Sequence, residues 1–228
     1  MDFEKYLRKE NDIYQSILEY IDNSEDSEIN FSNFEQIIND HSFKENKEEL
    51  DSIFRLLNSI ANNHHRSSDF FFKIERIIKL FQSEIDKFFT NSEIFHIFKS
   101  NKRILLFLIE EGIIDLDESI SFTLSNGWYK KCKYHFYFFP EIKKFLNEKQ
   151  LEKMSNKAGE MAEINSNNFE ENRKNGENHN YICKLIQKDE IDDFIVYVNK
   201  TNLRISEPIE KSIYETNSFL LNKETSLI

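Results

Sequence analysis

Apolar residues recur along this chain at intervals of three and four positions, which is the period of an amphipathic α-helix. The clearest stripe comprises Phe70, Ile74, Ile77, Ile78, Phe81, Ile85 and Phe88, and it predicts one helix across that span. Further stripes predict helices over residues 3–21, 31–38 and 48–61. No segment alternates apolar and polar residues for the length of a useful strand. The pattern therefore predicts an all-α fold.

Polar segments and end signals divide these helices. Residues 22–30 and 62–69 are polar and predict loops. Thr90 and Glu93 have the spacing of a capping box, in which a hydroxyl and a carboxylate satisfy backbone N–H groups at a helix start. Gly112 predicts a helix C-terminus.

A helix–turn–helix unit occurs twice. Residues 94–109 and 181–196 align without gaps, and apolar residues then face each other at five positions. The facing pairs are Phe95 with Ile182, Phe98 with Leu185, Ile104 with Ile191, Phe107 with Phe194, and Leu108 with Ile195. A short hairpin cannot bury its apolar face alone, so recurring hairpins favour an irregular stack of antiparallel helix hairpins.

The pattern suggests a division of the chain into three parts. Residues 1–155 are expected to form a helical array that includes one hairpin at about 92–112. Residues 156–177 are rich in Asn and Glu and predict a polar linker or surface loop. Residues 178–228 hold the second hairpin and the start of an incomplete repeat.

Composition narrows the class of protein. The 228 residues can form one large domain or two small ones, and 22 Phe and 9 Tyr supply large buried surfaces although only 39% of residues are hydrophobic. The net charge of −11 disfavours binding to polyanions and to anionic membranes. No apolar signal sequence or membrane-spanning stretch is evident, and four glycines offer no phosphate-binding loop. We expect a cytoplasmic protein that is not an enzyme and needs no cofactor.

The hairpins resemble the paired helices of ankyrin repeats. The resemblance is carried by residues 94–112 and 181–199, and by Thr225-Ser226-Leu227-Ile228, which is similar to the Thr-Pro-Leu-His that opens such a repeat. Residues 95–111, 137–143 and 213–220 further resemble the N-terminal region of ankyrin-repeat proteins of parasitic protists. The resemblance implies an ankyrin-like α-solenoid that binds other proteins. Phe and Ile occupy positions where ankyrin repeats have Ala and Gly, and Asn101 replaces the usual turn glycine.

Two groups of residues have side chains of the types that bind metals. Cys132 and His135, together with His179 and Cys183, have spacings that zinc sites use. Buried cysteines that act as small apolar residues explain the same pattern more simply, so no metal site is expected. The histidines of the 62–69 segment fit a solvated loop better than a catalytic cluster.

Three surfaces are candidates for binding partners. The first helices of the two hairpins would line the concave face of a solenoid, which makes six side chains the first to test: Glu93, His96, Lys99, Lys184, Gln187 and Lys188. An alternative is a nucleic-acid contact through the aromatic and basic segment 128–144. The apolar C-terminal end suggests self-association or a capping partner.

Overall fold

The structure of this chain is a computed structural model. It describes residues 3–23, 27–41, 43–63, 69–126, 129, 132–176, 180–187, 190–204, 206 and 212–216. No strand occurs in these ranges, which confirms the all-α prediction for them. The helices are α1 (Phe3–Asp22), α2 (Ser27–Asp40), α3 (Lys47–Asn63), α4 (Phe70–Leu80), α5 (Gln82–Phe88), α6 (Asn91–Phe98), α7 (Lys102–Glu110), α8 (Glu118–Leu124), α9 (Tyr134–Tyr137), α10 (Phe139–Ile142), α11 (Glu148–Glu160), α12 (Phe169–Asn175), α13 (Tyr181–Gln187) and α14 (Ile191–Thr201). Two short 3-10 turns lie at Phe43–Glu45 and Lys143–Phe145.

The chain divides into two compact units. The first comprises residues 1–100 and 110–114, and the second comprises residues 101–109 and 115–228. These limits differ from the sequence-based limits at 155 and 178. The predicted hairpin at 92–112 is also divided, because α6 belongs to the first unit and nearly all of α7 belongs to the second.

The core of the first unit is aromatic. Phe34, Phe54 and Phe81 are fully buried, and the ring of Phe81 meets the rings of Phe34 and Phe54 edge-on at centroid distances of 6.4 and 5.8 Å. Edge-to-face contacts of this kind are favoured by the ring quadrupole. Because each of these aromatic side chains is large, few residues are enough to fill the core.

The long helix predicted from Phe70 to Phe88 is interrupted at Phe81. This residue has φ −107° and ψ 14°, so it ends α4 and precedes α5. The apolar period continues through the break, since Phe81 and Ile85 are both buried. Periodicity alone therefore could not locate it.

The predicted loop at 22–30 is shorter than expected. Helix α2 already begins at Ser27, and Glu28 forms two hydrogen bonds of 2.5 and 2.8 Å with the guanidinium of Arg76 on α4. Arg76 also covers the Phe31 ring at 3.8 Å from its centroid. A contact distant in sequence thus holds a polar stretch in a helix.

In the second unit, α7 is buried on all sides. Every residue from Asn101 to Leu108 is less than 9% exposed. The side-chain oxygen of Asn101 accepts hydrogen bonds from the backbone N–H groups of Arg103 and Ile104, at 3.1 and 3.0 Å. Asn101 therefore serves as the N-cap of α7. That role accounts for an asparagine at the position where a turn glycine was expected.

Part of the segment at 156–177, which was predicted to be a polar linker or surface loop, is helical. It contains the end of α11 and the whole of α12, and Arg173 on α12 is completely buried. The Arg173 guanidinium donates to Glu141 at 2.6 Å and contacts Glu170 at 3.2 Å, while the Tyr137 hydroxyl donates to the Arg173 carbonyl at 2.7 Å. Ion pairing makes burial of this charge tolerable. An apolar pattern cannot reveal such a helix.

Candidate interaction surfaces

The first predicted surface set lies on α6 and the turn that follows it. The Glu93 carboxylate accepts from the Thr90 backbone N–H at 2.8 Å and from the Lys47 ammonium at 2.7 Å, while the Thr90 hydroxyl accepts from the Glu93 N–H. Lys47, with help from Thr90, lowers the pKa of the Glu93 carboxyl to about 2. The predicted capping box is confirmed. The Glu93 carboxylate is thus engaged within the chain.

His96 and Lys99 remain close to solvent. His96 is exposed, and its Nδ1 lies 2.8 Å from the Lys99 Nζ. His96 is therefore the more accessible part of the predicted α6 surface.

The second predicted surface set lies at α13. Lys184 is exposed on this helix. Gln187 is its last residue, and its side chain is among those that are not described. Lys188 lies outside the described residues. A binding role for the six predicted residues stays a prediction.

Helix α14 carries a surface that the sequence-based prediction missed. None of its residues is buried, although it contains six large apolar residues between 191 and 198. Three of these side chains are strongly exposed: Ile191 at 60%, Ile195 at 50% and Val196 at 61%. Asp192 and Asp193 are exposed beside them.

The two hairpins agree in their first helices and differ in their second. Phe95 and Ile182 are both buried, and so are Phe98 and Leu185. In the second helices, Ile104 and Leu108 of α7 are fully buried, whereas their aligned partners on α14 are exposed. A helix with apolar residues on more than one side needs cover on more than one side. Six of the eight residues from 191 to 198 are apolar, and this density was the sequence signal that could have identified α14.

The opposite side of α14 is partly covered by its own hairpin. The Tyr181 ring of α13 meets the Tyr197 ring of α14 edge-on at 5.1 Å between centroids. Phe194, Tyr197 and Val198 are partly buried. The helix therefore has one packed face and one apolar face toward solvent.

Four aromatic rings in the described part of the 128–144 segment are buried and cannot serve as a platform for nucleic-acid bases. Tyr134, Tyr137 and Phe138 are fully buried, and Phe136 is 9% exposed. Base stacking needs an open ring face. Trp128, Lys130 and Lys131 lie outside the described residues.

The candidate zinc ligands are only partly described. His179 lies outside the described residues, as do the histidines at 64 and 65. Among the residues that are described, no group of three His, Cys, Asp or Glu side chains could hold a metal ion. Burial raises the pKa of the Cys183 thiol to about 11, which favours the thiol over the thiolate that metals and electrophiles require.

Lys102 is a buried cation in the second unit. The Lys102 ammonium is completely buried and donates to the carbonyls of Ile213 and Cys132 at 2.7 and 3.3 Å. It also lies 5.3 and 5.6 Å from the ring centroids of Tyr134 and Tyr137. Burial lowers the pKa of Lys102 to about 8. Perturbed groups occur at functional sites and also in structural networks, and these contacts to backbone carbonyls are structural.

No family model, curated protein or solved structure matches this chain. Within the part of the chain that is described, no helix is long and apolar enough to cross a membrane. The C-terminal residues suggested for self-association, 217–228, lie outside the described residues.

Proposed function

We propose that this protein is a non-enzymatic protein–protein interaction scaffold that binds a partner through the exposed face of α14. The observation that carries the proposal is the exposure of Ile191, Ile195 and Val196 on one helix. Ile191 and Ile195 lie about one helical turn apart, so their exposed side chains share one side of α14, and exposed apolar patches commonly mark interaction sites. On this proposal, the chain is an N-terminal module of an ankyrin-repeat-type protein, and its hairpins are irregular ankyrin-like layers.

The internal repeat supports this use of α14. The aligned helix α7 shows what such a helix looks like when it is covered: Arg103 donates to the Lys174 carbonyl and Lys102 donates to the Ile213 carbonyl. Both contacts come from later segments of the second unit. Helix α14 is also rich in apolar residues and none of its residues is buried, so its outer face suits a further packed helix.

The charges around the face define the kind of partner. Asp192 and Asp193 are exposed next to Ile191 and Ile195, and the whole chain has a net charge of −11. A complementary partner is an amphipathic helix with an apolar stripe flanked by Lys or Arg. Apolar contact would supply most of the affinity, and opposite charge would guide the encounter.

The test compares two variants of the full chain in affinity purification from the native cell. Ile191→Asp/Ile195→Asp places charge on the proposed face. Phe122→Asp is the matched control, since Phe122 is also a strongly exposed apolar residue, at 71%, and lies on a different helix, α8. A partner retained by the wild type and by the control should be lost by the double variant. Binding should then be reproduced with the two purified proteins.

Helical content of each variant, followed by circular dichroism, separates loss of binding from loss of folding. Identical partner sets for the folded double variant and the wild type would contradict the proposal.

A further inference from the structure

A five-residue segment near the C-terminus is buried in the second unit without being part of a helix. Its residues are Ser212, Ile213, Tyr214, Glu215 and Thr216, and each is at most 4% exposed. Its internal backbone bonding is one turn, in which the Glu215 N–H donates to the Ser212 carbonyl at 3.4 Å. We call these residues the inserted segment. Their placement depends on contacts with other elements, as that of a bound peptide does.

The first half of the inserted segment is recognised through its backbone. The Glu163 carboxylate accepts from the Ser212 hydroxyl at 2.9 Å and from the Ile213 backbone N–H at 3.1 Å. The Lys102 ammonium donates to the Ile213 carbonyl at 2.7 Å. Charged side chains thus pair both backbone polar groups of the buried residue Ile213, and leaving either group unpaired would cost free energy.

The second half is recognised through its side chains. The Tyr214 hydroxyl donates to the Glu163 carbonyl at 2.6 Å, and the Tyr214 ring lies 6.0 Å from that of Phe169. The Thr216 hydroxyl donates to the Gly176 carbonyl at 2.7 Å. Loss of either hydroxyl would leave a buried acceptor without this partner.

Glu215 is the acidic residue of the inserted segment and is 4% exposed. Its negative charge opposes the lowering of the Lys102 pKa by burial. An acidic side chain at this position is therefore compatible with the buried ammonium.

We propose that the groove lined by Lys102, Glu163, Phe169 and Gly176 is a peptide-recognition site for the pattern Ser-aliphatic-Tyr-Glu-Thr, and that it can be filled by the inserted segment of a second copy of this chain. The site goes beyond the proposed α14 surface and does not depend on it. Contacts that hold the segment within one chain are equally available to the same segment from another chain, which is the basis of domain swapping.

Concentration decides which copy fills the groove. A segment tethered to its own chain competes at an effective concentration on the order of millimolar. The chain's own segment therefore occupies the groove in dilute solution, and exchange requires a weakened own segment or a comparably high local concentration. A substitution in the inserted segment makes the groove available without altering its walls.

The first experiment uses the full chain with Tyr214→Ala and a fluorescein-labelled peptide of residues 210–218. The peptide should bind this variant saturably and should bind the wild type much more weakly. A control peptide with alanine in place of Tyr214 and Thr216 should bind at least about tenfold more weakly. Equal affinity for the two peptides would overturn the proposal, as would equal binding of the labelled peptide to the variant and the wild type.

A second full-chain variant covers the case in which Tyr214→Ala does not fold. Ser212→Ala/Thr216→Ala removes three hydroxyl hydrogen bonds, to Glu163, from the Tyr214 backbone N–H and to Gly176, and retains the Tyr214 side chain. The wild-type peptide should raise the melting temperature of this variant more than the control peptide does, because a ligand that binds only the folded state stabilises it. Equal effects of the two peptides would overturn the proposal.

Mixing two variants tests whether a second copy of the chain can fill the groove. Tyr214→Ala has a weakened segment and intact walls, whereas Glu163→Gln has an intact segment and a weakened wall. At about 0.1 mM of each chain, below the effective concentration of a tether, the mixture should form a heterodimer that neither variant forms alone, as measured by light scattering. A mixture that stays monomeric while the peptide binds would exclude a second copy as the occupant.

Discussion

At the residue scale, Lys102 shows how a charged group can be part of a core. Its ammonium is completely buried and contacts two backbone carbonyls and two tyrosine rings. Burial disfavours the charged form and lowers the pKa of Lys102 to about 8, from an unfolded value near 10.5. The folded chain therefore releases the Lys102 proton at lower pH than the unfolded chain does.

This difference predicts a pH dependence of stability. Between about pH 8 and 10.5 the unfolded chain binds more protons at Lys102, so this residue's contribution to the free energy of unfolding rises with pH. The full change is about 3 kcal/mol over that range. Urea unfolding at several pH values should show the rise in the wild type relative to Lys102→Met.

The comparison with Lys102→Met is needed because other groups act in the opposite direction. Burial raises the pKa of the Cys183 thiol to about 11, so its contribution falls with pH above about 9. This contribution is common to both proteins and cancels in their difference. Parallel stability curves for wild type and variant from pH 8 to 10.5 would contradict the assignment to Lys102.

Residues of this kind mark the limit of prediction from sequence. Phe70, Ile74 and Ile78 were predicted for the core from their spacing, and each is at most 1% exposed. Arg173 was not predicted, because its burial depends on Glu141, which lies 32 positions earlier. Apolar periodicity reports local order, whereas a buried ion pair depends on how distant segments meet.

At the element scale, the start of α6 is specified locally. Thr90 and Glu93 satisfy each other's backbone N–H groups across three residues, and this arrangement follows directly from their spacing. It needs no contact from elsewhere in the fold. End signals of this kind are accordingly the most predictable features of the chain.

Thr90→Ala should lower the free energy of unfolding by about 1 kcal/mol, because the Glu93 N–H loses its side-chain acceptor. The measurement is the urea midpoint at neutral pH. Ser92→Ala is the matched control, since Ser92 is an exposed hydroxyl residue in the same turn. A Thr90→Ala midpoint no lower than that of Ser92→Ala would mean that the cap contributes no stability.

Whole helices were predicted less well than their ends. The repeat predicted α13 and α14, and both are present at Tyr181–Gln187 and Ile191–Thr201. The same pattern gave no reason for α7 to be enclosed and α14 to be exposed. Cover for α7 comes in part from Ile213 and Lys174. These residues lie 111 and 71 positions after the α7 residues whose side chains bond to them. An element's own sequence shows that it needs cover and not whether it receives it.

At the scale of the whole molecule, acidic charge and exposed apolar surface act together. The chain has a net charge of −11, which opposes association between copies through unprotected surfaces. Helix α14 nevertheless exposes three aliphatic side chains. A partner with basic residues around an apolar stripe would gain from both features.

The salt dependence of partner binding should reveal how much the exposed charges contribute to the association rate. For the partner identified through α14, the association rate should fall as ionic strength rises, since screening weakens the attraction between exposed charges. Asp192→Asn/Asp193→Asn should flatten this dependence and change the dissociation rate little, because the apolar contacts of Ile191 and Ile195 remain. Stopped-flow kinetics at ionic strengths from about 0.02 to 0.3 M would measure both rates. Equal salt slopes for wild type and variant would show that these two aspartates do not guide the encounter, and that apolar contact alone selects the partner.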